Sequence, residues 1–81
     1  MMRLSTLLRQ ATIQGRVTIT AFDGDRETAT IREDFCDGSH ALLRRAMEEK
    51  ILSAPVQWIF CGEDGRLHIE VQLDPEAVYT Y

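Results

Sequence analysis

The chain has 81 residues with 44% hydrophobic and 27% charged content and a formal charge of −4. That length allows one domain, and the composition excludes disorder and gives no apolar run of the ~18 residues that would cross a bilayer. An acidic balance also argues against direct nucleic-acid binding, which relies on cations to displace phosphate counterions.

The charge is unevenly placed. Residues 1–50 carry eight Arg/Lys and eight Asp/Glu, whereas residues 51–81 carry only Arg66 against Glu63, Asp64, Glu70, Asp74 and Glu76. The whole net charge therefore lies in the last third. Such a surface suits a partner that is itself basic, although a charge of this size also serves solubility alone.

In chain order, Leu4, Leu7, Leu8 and Ala11 recur at helical spacing, with Gly15 as the stop. The N-terminus is too polar for a signal peptide, so a cytoplasmic location with reduced thiols at Cys36 and Cys61 is expected. Arg16 to Phe22 alternates, with Val17, Ile19 and Ala21 on one side. Asp23-Gly24 reads as a hairpin turn, and the return strand over about Glu27 to Glu33 points Ala29 and Ile31 inward. Asp37-Gly38-Ser39 offers helix caps before the stripe Leu42, Leu43, Ala46 and Met47. Pro55 should end any helical continuation.

Beyond Pro55, Val56, Trp58 and Phe60 alternate with Gln57, Ile59 and Cys61, which places Trp58 in the core phase. After the turn Gly62-Glu63-Asp64-Gly65, Leu67, Ile69, Val71 and Leu73 alternate with His68, Glu70 and Gln72. Pro75 closes this strand, leaving residues 75–81 as a loose tail.

The order α-β-β-α-β-β, with one apolar face per element, leads to a two-layer α+β domain over residues 1–81. Two helices would cover one face of a four-stranded antiparallel sheet.

Chemistry-bearing residues are sparse. Cys36, His40, Cys61 and His68 are the candidate zinc ligands, but Cys-x3-His and Cys-x6-His match no standard knuckle. Cys61 and His68 share the non-core phase of one hairpin, so they could approach each other. Cys36 with His40 is the candidate nucleophile pair. A helix start would lower the thiol pKa, and the flanking Asp34 and Asp37 would raise it. Asp34-Phe35-Cys36-Asp37-Gly38 lacks the alternating oxygens of a calcium loop, and no glycine cluster cradles phosphate. No metal, cofactor or enzymatic activity is expected. The partner-binding candidates are Glu63, Asp64 and Glu70, with Tyr79 and Tyr81 as aromatic anchors.

The cadence of Leu4, Leu7, Leu8, Val17, Ile19, Asp23-Gly24, Glu63-Asp64-Gly65, Leu67, Ile69 and Val71 resembles small acidic prophage and mobile-element proteins. It covers most of the chain but consists mainly of core and turn residues. Some proteins of that kind are anti-CRISPR or other anti-defence inhibitors. The resemblance implies a non-enzymatic, phage-encoded inhibitor that engages a basic nucleic-acid-handling host complex. A self-associating accessory protein, such as a homodimer, is the alternative.

Overall fold

A computed structural model describes residues 2–73 of the chain. Its elements are α1 (Leu4–Gln10), β1 (Gln14–Asp23), β2 (Arg26–Asp37), α2 (His40–Glu48), β3 (Val56–Cys61) and β4 (Leu67–Gln72). This is the expected α-β-β-α-β-β order. The expectation about residues 75–81 lies outside the described residues.

The core is one cluster in which Leu4 and Leu8 of α1 and Leu42 and Ala46 of α2 meet Val17, Ile19, Ala21, Ile31, Ile69 and Val71 of the sheet. Both helices thus bury their apolar stripes in one layer against the strands. Met47 departs from its expected place and is exposed at the end of the α2 stripe. The segment after α2 adds Ile51, Leu52 and Ala54 to the core without regular structure. Lys50 turns the chain there with φ of 61°.

The sheet order is β2-β1-β4-β3. Both hairpins are antiparallel, but the central pair β1–β4 is parallel, so the sheet is mixed rather than wholly antiparallel. The reason is the connection. β2, α2 and β3 together form a crossover long enough to bring β4 alongside β1 in the same direction. The first hairpin therefore places its leading strand at the centre, and the second its trailing strand. Two halves alike in element order occupy unlike positions in the sheet.

Bulges set which side chains face where. In β2, Asp34 and Phe35 stand where β1 supplies Arg16 alone, between the pairs Val17–Glu33 and Gly15–Cys36. The extra residue turns Cys36 into the core and leaves Phe35 96% exposed. β2 itself runs on to Asp37, beyond the expected end near Glu33, because it keeps pairing with Gly15 and Gln14 past the bulge. In β3, Val56 pairs with Val71 and Trp58 with Glu70, so Gln57 is the extra residue.

Candidate functional site

The bulge at Gln57 reverses the phase of β3. Val56 packs against the core, but Trp58 and Phe60 lie on the opposite, outer face of the sheet, 61% and 43% exposed. The core placement of Trp58 is thereby corrected: plain alternation from Val56 carries across a position where the strand contains one residue more than its partner. Pairing the strands across the Gly62–Gly65 turn instead sets Phe60 opposite His68 and Trp58 opposite Glu70. That was the signal in the sequence for an outward Trp58.

Around these aromatics the outer face is built in rows. Arg32, Thr18, His68 and Phe60 form one row across the four strands, and Thr30, Thr20, Glu70 and Trp58 the next. The Phe60 ring stacks on His68 at 5.0 Å between centroids with 7° between planes. His68 Nε2 lies 3.1 and 3.2 Å from the two carboxylate oxygens of Asp64. An ionised carboxylate only accepts, so this nitrogen carries the proton.

The acidic candidates divide by role. Glu63 is exposed in the turn, and Glu70 is half-buried on the outer face beside Trp58. Asp64 is exposed but tied into the turn, accepting from the backbone N–H of Arg66 at 3.0 Å. That hydrogen bond first, then the one from His68, holds its carboxyl below the usual carboxylate value. Tyr79 and Tyr81 lie outside the described residues.

Arg66, the sole cation of the last third, is withdrawn from this acidic cluster. It is 2% exposed, and its guanidinium reaches across β1 to β2. Nε donates to Thr18 Oγ1 at 2.8 Å, and one terminal nitrogen donates to the carbonyls of Val17 and Glu33 at 2.9 and 3.2 Å. The other terminal nitrogen pairs with Asp34, whose carboxyl it holds below the usual range. The planar, five-donor fork is what lets one side chain satisfy carbonyls at a bulge and a carboxylate together. The second-hairpin tip thus keeps Glu63 and Asp64 without a counter-charge from Arg66.

The other chemical candidates are dispersed. Cys36 is buried, and its single S–H has two carbonyl acceptors in reach, Gly38 at 2.8 Å and Ile13 at 3.3 Å from Sγ. Burial first, then Glu33 and Asp37, pushes that thiol up. Asp34, expected to contribute, is engaged by Arg66 instead. Cys36 and His40 both line an open groove of about 650 Å³ between β2 and α2, together with Phe35, Leu43 and Met47. Cys61 pairs with Leu67 on the helix side of the sheet, so it does not share a face with His68. The expected approach of these two is corrected; the same bulge is responsible. Among the described residues, no three His, Cys, Asp or Glu side chains gather as metal ligands, and no helix is long and apolar enough to cross a membrane.

Comparison with protein-family models, curated proteins and solved structures finds no match to this chain.

Proposed function

We propose that this protein is a non-enzymatic protein-binding module that uses the outer face and tip of the β3–β4 hairpin. In this reading its partner presents a basic, nucleic-acid-handling surface, as expected of an anti-defence inhibitor of phage origin. The observation that carries the proposal is the exposed pair Trp58 and Phe60 beside Glu70 and near Glu63, with Arg66 buried away from them. Aromatic anchors next to uncompensated charge are what interface hot spots consist of, and the acidic rim would steer a basic partner. The buried, hydrogen-bonded Cys36 thiol favours binding over thiol chemistry.

Affinity capture from bacterial lysate tests the proposal, with wild type compared with Trp58→Ala and with the pair Glu63→Lys, Glu70→Lys. Wild type should retain a basic nucleic-acid-binding protein, more weakly at high salt, and both variants should lose it. Retention of nothing at low salt, or equal retention by the variants, overturns it.

A further inference from the structure

The two edges of the sheet are managed differently. β2, one edge, carries Arg26, Glu27, Arg32, Glu33, Asp34 and Asp37, has two bulges, and has its Arg32 carbonyl taken by Arg45 at 2.8 Å. Charges and bulges are the usual protection of an open edge. β3, the other edge, has no charged residue in Val56–Cys61, and Trp58, Ile59 and Phe60 are all more than 40% exposed. β4 is its sole strand partner among the described residues.

The open length of that edge is bounded on both sides. At its start, Val56 N–H donates to the Met2 carbonyl at 2.8 Å and Arg3 bridges Pro55, so the N-terminal segment already occupies the edge there. At its end, Gly62 enters the turn and donates to the Arg66 carbonyl at 2.9 Å. Among the described residues, what remains open is Gln57 to Cys61, and its midpoint is Ile59. Because Gly62–Arg66 is a hydrogen-bonded pair, alternation makes Phe60–His68 and Trp58–Glu70 hydrogen-bonded too. The N–H and C=O of Ile59 and Cys61 then point outward, away from β4.

We infer that β3 pairs antiparallel with β3 of a second copy, about a two-fold axis through Ile59, to give a continuous eight-stranded sheet. Several features select a second copy. The axis at Ile59 is the register that pairs the whole open edge, and it makes two reciprocal backbone hydrogen bonds between the Ile59 residues. It sets Trp58 opposite Phe60 of the second copy, twice, on the outer face. Aromatic pairs at such positions are favourable cross-strand neighbours. It also carries the tip with Glu63 to the level of Pro55 of the other copy, where Arg3 flanks the strand, so opposite charges meet at both ends. Two chains of charge −4 would repel over most other approaches, but β3 contributes no charge to this one. The seam shares Trp58 and Phe60 with the surface proposed above for a basic partner, but it is tested at Ile59, which pairs with Ile69 on the helix side of the sheet, away from Glu63 and Glu70.

Sedimentation velocity from micromolar to near-millimolar concentration tests it, together with two variants. Wild type should sediment as a dimer, and Ile59→Lys should shift to the monomer at every concentration with its circular dichroism unchanged. Ile59→Cys in a Cys61→Ser background should form an intermolecular disulfide with itself under oxidised glutathione, because the two-fold axis sets position 59 opposite its own copy; this readout decides the matter should Ile59→Lys fail to fold. A wild-type monomer throughout, a dimer that survives Ile59→Lys, or a dimer without the cross-link overturns the inference. So does protection of the Ile59 amide at concentrations where the chain is monomeric, which would mean that the edge is covered within the chain. Protection gained only on adding a foreign protein overturns it as well and assigns the edge to that partner's strand.

Discussion

Arg66 and Asp34 are 32 positions apart in the chain and separated in the sheet by the whole of β1, yet their side chains pair. The arginine is buried while the aspartate is mostly exposed, so the pair has one desolvated member and one in water. The stabilising work falls on the carbonyls of Val17 and Glu33, which lie beside the β2 bulge and receive their donors from Arg66.

Arg66→Met should therefore be the most damaging single change outside the apolar core. It leaves two backbone carbonyls and the Thr18 hydroxyl without this donor, a loss of about 2–4 kcal/mol. In a domain of this size that corresponds to a fall in Tm of roughly 10 °C or more. Arg66→Lys should recover only part, because one ammonium cannot span all four acceptors. Asp34→Asn should cost clearly less than Arg66→Met. Thermal melts of the three variants check the ranking.

Acid should weaken the fold through Asp34 and Asp64. Both carboxyls are held below their ordinary value of 3.8 in the folded protein, Asp34 mainly by the Arg66 guanidinium and Asp64 mainly by the Arg66 backbone N–H. A depressed folded pKa contributes stability above the unfolded value and loses it as pH falls through the folded one. Urea midpoints should hence be insensitive to these groups near neutrality and decline below about pH 4. The double variant Asp34→Asn, Asp64→Asn should flatten that decline, which denaturation at a series of pH values will show.

The two cysteines should differ in reactivity. Cys36 is buried with its S–H engaged and its pKa raised, whereas Cys61 is exposed. A thiol reagent at mildly alkaline pH should modify one cysteine per native chain and two after unfolding. Cys61→Ser should abolish the fast phase, and Cys36→Ser should leave it in place.

Gly62 is required for a contact rather than for its backbone angle. A Cβ there would sit 2.6 Å from His68 Nε2 and 2.7 Å from Asp64 Oδ1. Gly62→Ala should displace the imidazole from both Asp64 and Phe60, at a cost of about 1 kcal/mol. The ring-current shift of His68 protons by Phe60 should collapse in the NMR spectrum, while the amide shifts of β1 and β2 stay in place.

Binding to a basic partner should separate kinetically into charge and aromatic contributions. Glu63→Lys with Glu70→Lys should slow association several-fold and reduce its salt dependence, since rim charges act on encounter. Trp58→Ala or Phe60→Ala should accelerate dissociation instead. Surface plasmon resonance at two ionic strengths distinguishes the effects, and unchanged rates in both sets would leave the acidic residues with solubility alone.

Much of the fold is legible in the chain because local periodicity reports burial directly. Val17, Ile19 and Ala21 alternate as a half-buried strand must, as do Leu67, Ile69 and Val71, and all but the half-buried Leu67 are fully buried. Leu4 and Leu8 mark the buried stripe of α1 in the same way. The acidic surplus around Glu63 and Asp64 is also plain from counting.

Periodicity fails where a strand holds one residue more than its neighbour. Nothing within Val56-Gln57-Trp58 reveals that Gln57 is extra; the bulge exists only relative to β4, and it moves Trp58 from the core to the surface. Likewise the extra residue at Asp34-Phe35 has meaning only against Arg16 of β1. The parallel β1–β4 pair, the open edge at β3 and the reach of Arg66 to Asp34 all depend on which strands become neighbours. The elements and their buried faces can be read from local spacing, because they follow from contacts a residue makes within a few positions of itself. Strand order, register and the partner of the one buried arginine were decided by the tertiary structure, because each is a relation between segments that the chain brings together only on folding.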